Sequence, residues 1–425
     1  MGHIVNSEKE YRLLQQRLDY NITGAPYSPV FIQILKLLFS PKEAQIARNI
    51  PVKPVKASVL AGKLGLSVEE LYGCTLPMAE KGLVFDFQHK EEGYLALAPV
   101  VIGFFEFVYM RTRDELDLKE LAHLFEEYMF KDDRFAHSVF EGQTQLGRAM
   151  VREEALPEGD YSEVLDWEKV SHVLQSSGTI GVSLCACRHK AEHLGKHCNA
   201  PQRTCLTFNT SADMLIKRGM AEAISRREAE DILAECKQAG LVQIADNVQR
   251  QVGFICNCCG CCCGMLQAIK TFDIRNAVVT SNWLATIQAD SCIGCGACVR
   301  ACPLGALSLE KQEDGKRRVL CEESLCLGCG VCYGACKWTA IQMKSRPQKV
   351  MVPETTFDRI VMMAMERGKL SSFLFDDPSR FSHRALGRIA SVIEKSPPVK
   401  ALMAVKPLQS VFLQGLTKMA AKYTK

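Results

Sequence analysis

Hydrophobic positions recur at helical spacing through most of the first half of the chain, with short alternating stretches between them. Residues 1 to 25 read as a polar leading helix ending near Gly24-Ala25-Pro26, and Val30 to Phe39 as an apolar one. Ala57 to Gly65 and Ser67 to Lys81 predict two helices joined by a tight glycine turn. Ser67-Val-Glu-Glu70 is a capping box, Val68, Leu71, Tyr72, Thr75, Leu76 and Ala79 form the apolar stripe, and Pro77 predicts an interruption. Leu83, Phe85 and Phe87 then alternate as a strand, His89 to Gly93 is a polar turn, and Tyr94 to Ala98 reads as the return strand. From Val100 to about Gly159 the period is helical again, with Leu118, Leu121, Leu124 and Phe125 in register. Trp167, Val170 and Leu174 predict another helix, and Thr179 to Leu184 a short strand. Ser225-Arg-Arg-Glu228 caps a helix with the stripe Ala229, Ile232, Leu233, Cys236 and Ala239, closed by Gly240; Cys236 on that stripe is expected to be an inert core thiol. Leu307 and Leu309, a turn at Asp314-Gly315, and Val319-Leu320 predict a hairpin. Phe357 to Arg367 and Phe381 to Lys395 read as amphipathic helices, with Pro397-Pro398 breaking the pattern beyond.

Cysteine changes this picture. The chain holds 21, and they are clustered rather than dispersed, which points to metal ligation in a reducing compartment rather than to disulfides. Cys292, Cys295, Cys298 and Cys302 follow C-x2-C-x2-C-x3-C, and Cys326, Cys329, Cys332 and Cys336 repeat it. Four thiolates must converge on a cubane cluster, and in this spacing the fourth cysteine of each run serves the other cluster. The expected ligand sets are Cys292, Cys295, Cys298 with Cys336, and Cys326, Cys329, Cys332 with Cys302. Gly294, Gly296, Gly328 and Gly330 allow the positive φ such loops need. Zinc ribbons space their C-x2-C pairs more widely than this. Residues 286 to 345 closely resemble the bacterial ferredoxins that carry two [4Fe–4S] clusters, with Lys337 standing where that family usually has proline.

A second constellation comprises Cys185, Cys187, Cys198 and Cys205, and then Cys256, Cys258, Cys259, Cys261, Cys262 and Cys263. Ten thiols provide for one or two further iron–sulfur clusters, with zinc or dithiol chemistry as alternatives. Cys256, Cys259 and Cys262 repeat the C-x2-C-x2-C loop, with a fourth ligand from the earlier group. Alternatively Cys185, Cys187, Cys198 and Cys205 hold one cluster and four of the later six another. The pairing of C-x-C-R with C-N-C-C-x-C-C-C resembles iron–sulfur oxidoreductase subunits of anaerobic bacteria; it implies architecture and no catalytic residue. His189, His193 and His197 fall on one helical face beside these cysteines, and Arg188 is adjacent to Cys187, open to a role at a cluster or in an ion pair. Cys74 and Cys321 read as structural.

Helix, helix, helix and β-hairpin near the N-terminus resemble a winged helix. Its third helix, Ser67 to Lys81, offers Glu69, Glu70 and Glu80 where base readers need Arg, Lys, Asn or Gln, which argues against DNA binding and for a protein-docking or structural role. No G-x-G-x-x-G, P-loop, H-E-x-x-H or G-x-S-x-G occurs, so neither a nucleotide site nor a hydrolytic apparatus is evident. The net charge is +4, but from Lys344 onward fifteen Lys or Arg face six Asp or Glu, +9 against −5 for the remainder. That basic tail suits an acidic partner protein, nucleic acid or an anionic membrane surface, or is simply a solvated helical face. No apolar run spans a bilayer and no leader pattern opens the chain, so a cytoplasmic location is expected.

Together these features predict an α+β multidomain chain: a winged-helix-like domain (1–110), a mainly helical cysteine-rich domain (111–285), a two-cluster ferredoxin domain (286–345) and a basic helical tail (346–425). The expected function is iron–sulfur electron transfer, with a redox partner or an oxidoreductase complex as the other party. The alternatives are a redox-responsive winged-helix regulator and a zinc-rich scaffold.

Overall fold

The computed structural model describes residues 7–89, 91–157, 166–312 and 315–370. Asp314, the helix expected over Phe381 to Lys395 and the Pro397-Pro398 break lie outside the described residues. The described residues form two compact units, one drawn from 7–104, 137–144 and 360–370, the other from 105–136 and 145–359.

The first unit runs α1 (Ser7–Asp19), α2 (Pro29–Leu38), α3 (Pro41–Ala47), β1 (Val55–Lys56), α4 (Ala57–Leu64), α5 (Val68–Glu80), β2 (Val84–His89) and β3 (Glu92–Leu97). β3 pairs antiparallel with both β1 and β2. Helix α2 buries Phe31, Ile32, Ile34, Leu35 and Leu38 behind a Ser28 cap. Periodicity did not reveal α3, which is too short to show a stripe; its signal is the Ser40–Glu43 capping box. Helix α5 begins at the predicted Ser67–Glu70 box but runs through Pro77 to Glu80. Pro77 is exposed, and the carbonyl it leaves unpaired, at Gly73, lies on the same wet face. The buried face is Leu71, Thr75, Met78 and Ala79, whereas Leu76, expected in the stripe, is 43% exposed. Residues near 366 close the unit: the Glu366 carboxylate accepts from the N–H groups of Gln143 and Thr144 at 2.8 Å and from the Thr144 hydroxyl at 2.7 Å.

The second unit comprises α6 (Phe105–Tyr109), α7 (Leu118–Phe130), α8 (Arg134–Phe140, whose end belongs to the first unit), β4 (Gly147–Ala149), α9 (Val170–Ser176), β5 (Ile180–Leu184), α10 (Ala186–His193), β6 (Arg203–Phe208), α11 (Asn209–Lys217), β7 (Glu222–Ala223), α12 (Arg226–Gln238), β8 (Val242–Asp246), β9 (Phe254–Cys258) and α13 (Gly264–Phe272). It continues with β10 (Trp283–Ile287), α14 (Ala297–Ala301), β11 (Leu307–Lys311), β12 (Arg317–Cys321), α15 (Val331–Ala335), β13 (Ile341–Ser345) and α16 (Thr356–Glu366), which starts in this unit.

Six strands in the order β4-β8-β9-β6-β5-β7 form one antiparallel sheet. Helical residues do predominate in this cysteine-rich middle, as expected, but they flank a sheet of which the sequence reading predicts only the strand at 179–184. β8 is buried along its whole length and β5 along nearly all of it, so neither alternates and the strand period is erased. Val173 and Leu174 of α9 and Ile232, Leu233 and Cys236 of α12 pack on Ile180, Val182, Leu206 and Phe208 of the sheet. Cys236 is thus in the core, as its stripe predicts. Arg148 is almost fully buried and donates to the carbonyls of Asp246, Val248 and Trp167 at 2.8, 2.6 and 2.6 Å, tying β4 to the turn after β8. Further along, β10 pairs with β13, and β11 with β12 as the expected hairpin. Among the described residues no helix is long and apolar enough to cross a membrane.

Candidate metal centres

Helices α14 and α15 repeat one construction. Each presents the third cysteine of its run in its first turn, Cys298 or Cys332, and the fourth at its C-cap, Cys302 or Cys336. The loops ahead of them turn through Gly294, Gly296, Gly328 and Gly330, all at φ between 65° and 75°. Two of these glycines are also needed for room: a Cβ on Gly294 would fall 2.3 Å from the Arg317 carbonyl oxygen, and one on Gly328 2.0 Å from that of Trp283. The fourth cysteines cross over. Cys292, Cys295, Cys298 and Cys336 line one cavity with Ile293, Val319, Trp338 and Ile341. Cys302, Cys326, Cys329 and Cys332 line the other with Leu304, Leu307 and Leu327. Cys295 is exposed, whereas Cys298, Cys326 and Cys332 are buried.

Cys321, structural by its sequence position, hydrogen-bonds Cys326, and that bond holds the Cys326 thiol down to about 6 against the opposing effect of burial. The sequence gives only a faint sign of this, a cysteine ending β12 shortly before the second run.

Six of the ten thiols of the second constellation gather on one face of the large sheet. Cys256 and Cys258 stand two apart on β9 and so share a face. The β6–β9 register of Leu206 opposite Ile255 brings Cys205 across from Cys256. Cys185 caps α10, Cys187 lies in its first turn, and Cys263 caps α13. Thiolates are favoured at such helix N-termini. Cys256 accepts hydrogen bonds from Cys205 and Cys258, and Cys263 from Cys187 and Cys258; both are held well below an ordinary thiol. Burial pushes Cys185 up to about 12.

The other four form a tighter knot. The sulfur atoms of Cys198, Cys259, Cys261 and Cys262 all lie within 4.8 Å of one another. The grouping differs from both partitions read from spacing: Cys259 and Cys262 gather with Cys198 of the earlier group and with Cys261, while Cys256, Cys258 and Cys263 lie with Cys187 and Cys205.

Arg188 is fully buried and serves both groups. It donates to the Asn257 carbonyl at 2.9 Å and to the Thr204 hydroxyl. Burial opposes its charge, but Cys185, Cys259 and Cys258 outweigh that and hold its pKa above the ordinary guanidinium value. Its Nε is buried without a hydrogen-bond partner. A buried cation whose electrostatic partners are thiols suits ionised sulfur, the form that binds metals.

The histidines lie elsewhere. The Nδ1 of His189 bonds the Tyr109 carbonyl at 2.8 Å, the His189 and His193 rings are 5.0 Å apart, and α10 ends before His197.

Residues 291–340 match the 4Fe-4S dicluster domain. Comparison with curated proteins and with solved structures gives no match. The domain match and the clustered cysteines support an iron–sulfur protein with an electron-transfer role.

Proposed function

We propose that the chain relays single electrons between its central cysteine centre and a redox partner, as a subunit or dedicated donor or acceptor of an oxidoreductase. The observation that carries this is the crossed lining of two separate cavities by four thiols each. Cys292, Cys295, Cys298 and Cys336 would hold one [4Fe–4S] cluster, and Cys326, Cys329, Cys332 and Cys302 the second. Such clusters, when bound, take up and release one electron at a potential set by hydrogen bonds to sulfur and by solvent access. Apolar side chains line both cavities, and the second, with Cys326 and Cys332 buried, is the better shielded from water.

At least four of the six sheet-face thiols, Cys185, Cys187, Cys205, Cys256, Cys258 and Cys263, would hold a further iron–sulfur cluster. Gly260 abuts Pro303, next to Cys302, which supports a path from the central cysteines into the second ferredoxin site. Cys295 is exposed, and so are Ile293 and Trp338 on the rim of the other cavity, at 56% and 53%; this favours docking of a partner protein there.

In the first unit, a helix, strand, helix, helix, hairpin order with β1 beside β3 supports a winged-helix-like domain. The exposed side of α5 carries Glu69, Glu70, Leu76 and Glu80, so we read it as a protein-docking face; the regulator is not favoured.

The test is iron and labile sulfide per chain after oxygen-free purification, with EPR during stepwise reduction. The relay requires about eight irons from the ferredoxin sites and about four or more from the central one. A count stopping at eight removes the central cluster, and absence of labile sulfide overturns the proposal.

A further inference from the structure

Cys198, Cys259, Cys261 and Cys262 differ in kind from the other cysteine groups. In a cubane, the four thiolates bind four different irons at separate corners and stand well apart. A single tetrahedral ion with metal–sulfur bonds of about 2.3 Å draws its four thiolates to about 3.8 Å from one another. Here all four sulfurs lie within 4.8 Å, and those of Cys261 and Cys262 are 3.6 Å apart. Among the described residues no other group of three or more potential ligands converges to this degree, the two ferredoxin sets included.

The backbone is arranged to match. The Cys262 N–H donates to the Cys259 sulfur, and the Cys198 N–H to the Cys262 sulfur. The side chains of Gln267 and Lys270 both donate to the Gly260 carbonyl, at 2.7 and 3.1 Å, fixing the turn that carries three of the four cysteines. Cys198 comes from the irregular segment between α10 and β6. Four thiolates around one ion leave no open coordination position, which is the arrangement of a structural site.

We propose that Cys198, Cys259, Cys261 and Cys262 bind one tetrahedral divalent ion, zinc or ferrous iron, which staples the 194–202 segment to the 259–262 turn. This site is separate from the six sheet-face thiols and goes beyond the electron relay. With Cys261 exposed, the ion lies at the protein surface and can exchange with solution.

The experiment is elemental analysis and labile sulfide on the full chain, purified without oxygen, for the parent and for Cys198→Ser and Cys261→Ser. Each variant is expected to lose a single equivalent of metal, with labile sulfide and the EPR signals of the reduced clusters unchanged. Loss of zinc identifies zinc, and loss of one iron without sulfide identifies iron. Joint loss of iron and sulfide, or no loss of metal, overturns the proposal. Cobalt(II) exchange into the parent protein gives a readout that needs no variant: the intense visible absorption of tetrahedral cobalt thiolate is expected, and its absence also overturns the site. A parent protein lacking labile sulfide would sink the relay while leaving the single-ion count standing.

Discussion

Gly260 lies so close to Pro303 that a Cβ on it would fall 2.2 Å from the Pro303 carbonyl oxygen. One residue belongs to the central cysteine turn and the other directly follows Cys302. Gly260→Ala must therefore push the two apart, at a cost of about 1–3 kcal/mol. We expect a lower unfolding midpoint and a changed EPR line shape for the cluster held by Cys302. Gly264→Ala is the control: nothing lies within 4 Å of its Cβ, and at the first position of α13 it should change stability by no more than about 0.5 kcal/mol.

Removal of the thiol beside Cys326 should be read at the electrode. Cys321→Ala takes a hydrogen bond from a ligand sulfur and leaves it more electron-rich, so the potential of that cluster should fall. With about 1 kcal/mol per bond, the shift is at most about 40 mV for one electron. An unchanged redox titration would show that Cys321 does not touch the cluster's electronics.

Arg188→Leu leaves buried sulfur anions without their cation. Breaking such a pairing costs about 3–5 kcal/mol, and central iron should be lost while the ferredoxin EPR signals persist. Arg188→Lys keeps the charge but cannot reach Asn257 and Thr204 with one fork, so it should retain part of that iron. Iron per chain and chemical denaturation decide both.

His193 gives the expected pH dependence. Burial, and then His189, lower its pKa from 6.5, while Glu192 and Asp117 pull the other way and Tyr109 packs on its ring. A base depressed in the folded state binds fewer protons there than in the unfolded chain just below that value. Stability should thus fall as pH drops through about 6.5. Denaturation series between about pH 5.5 and 7.5 should show this slope, and His193→Gln should flatten it.

The ferredoxin domain was legible because its ligand spacing is local: each glycine loop and its short helix carry four cysteines within eleven consecutive positions. The central group was not, because its sorting depends on strand register. Cys205 meets Cys256 only through the pairing of β6 with β9, and that sheet hides its strands by burying both faces. Cys198 and Cys263 changed sides for the same reason, since their neighbours are fixed by elements far apart in sequence. Pro77 misled in a simpler way: a helix tolerates proline where water can take the freed carbonyl.

The first unit is discontinuous, and its closing contacts come late. Glu366 clasps Gln143 and Thr144, and Lys369 reaches back to the carbonyls of Asp19 and Asn21. All 21 cysteines precede these residues. During synthesis, every thiol therefore leaves the ribosome before the first unit can lock its C-terminal strap. Metal loading can begin on a chain whose first unit is still open, and closure of the strap follows the emergence of all the cysteines assigned to metal.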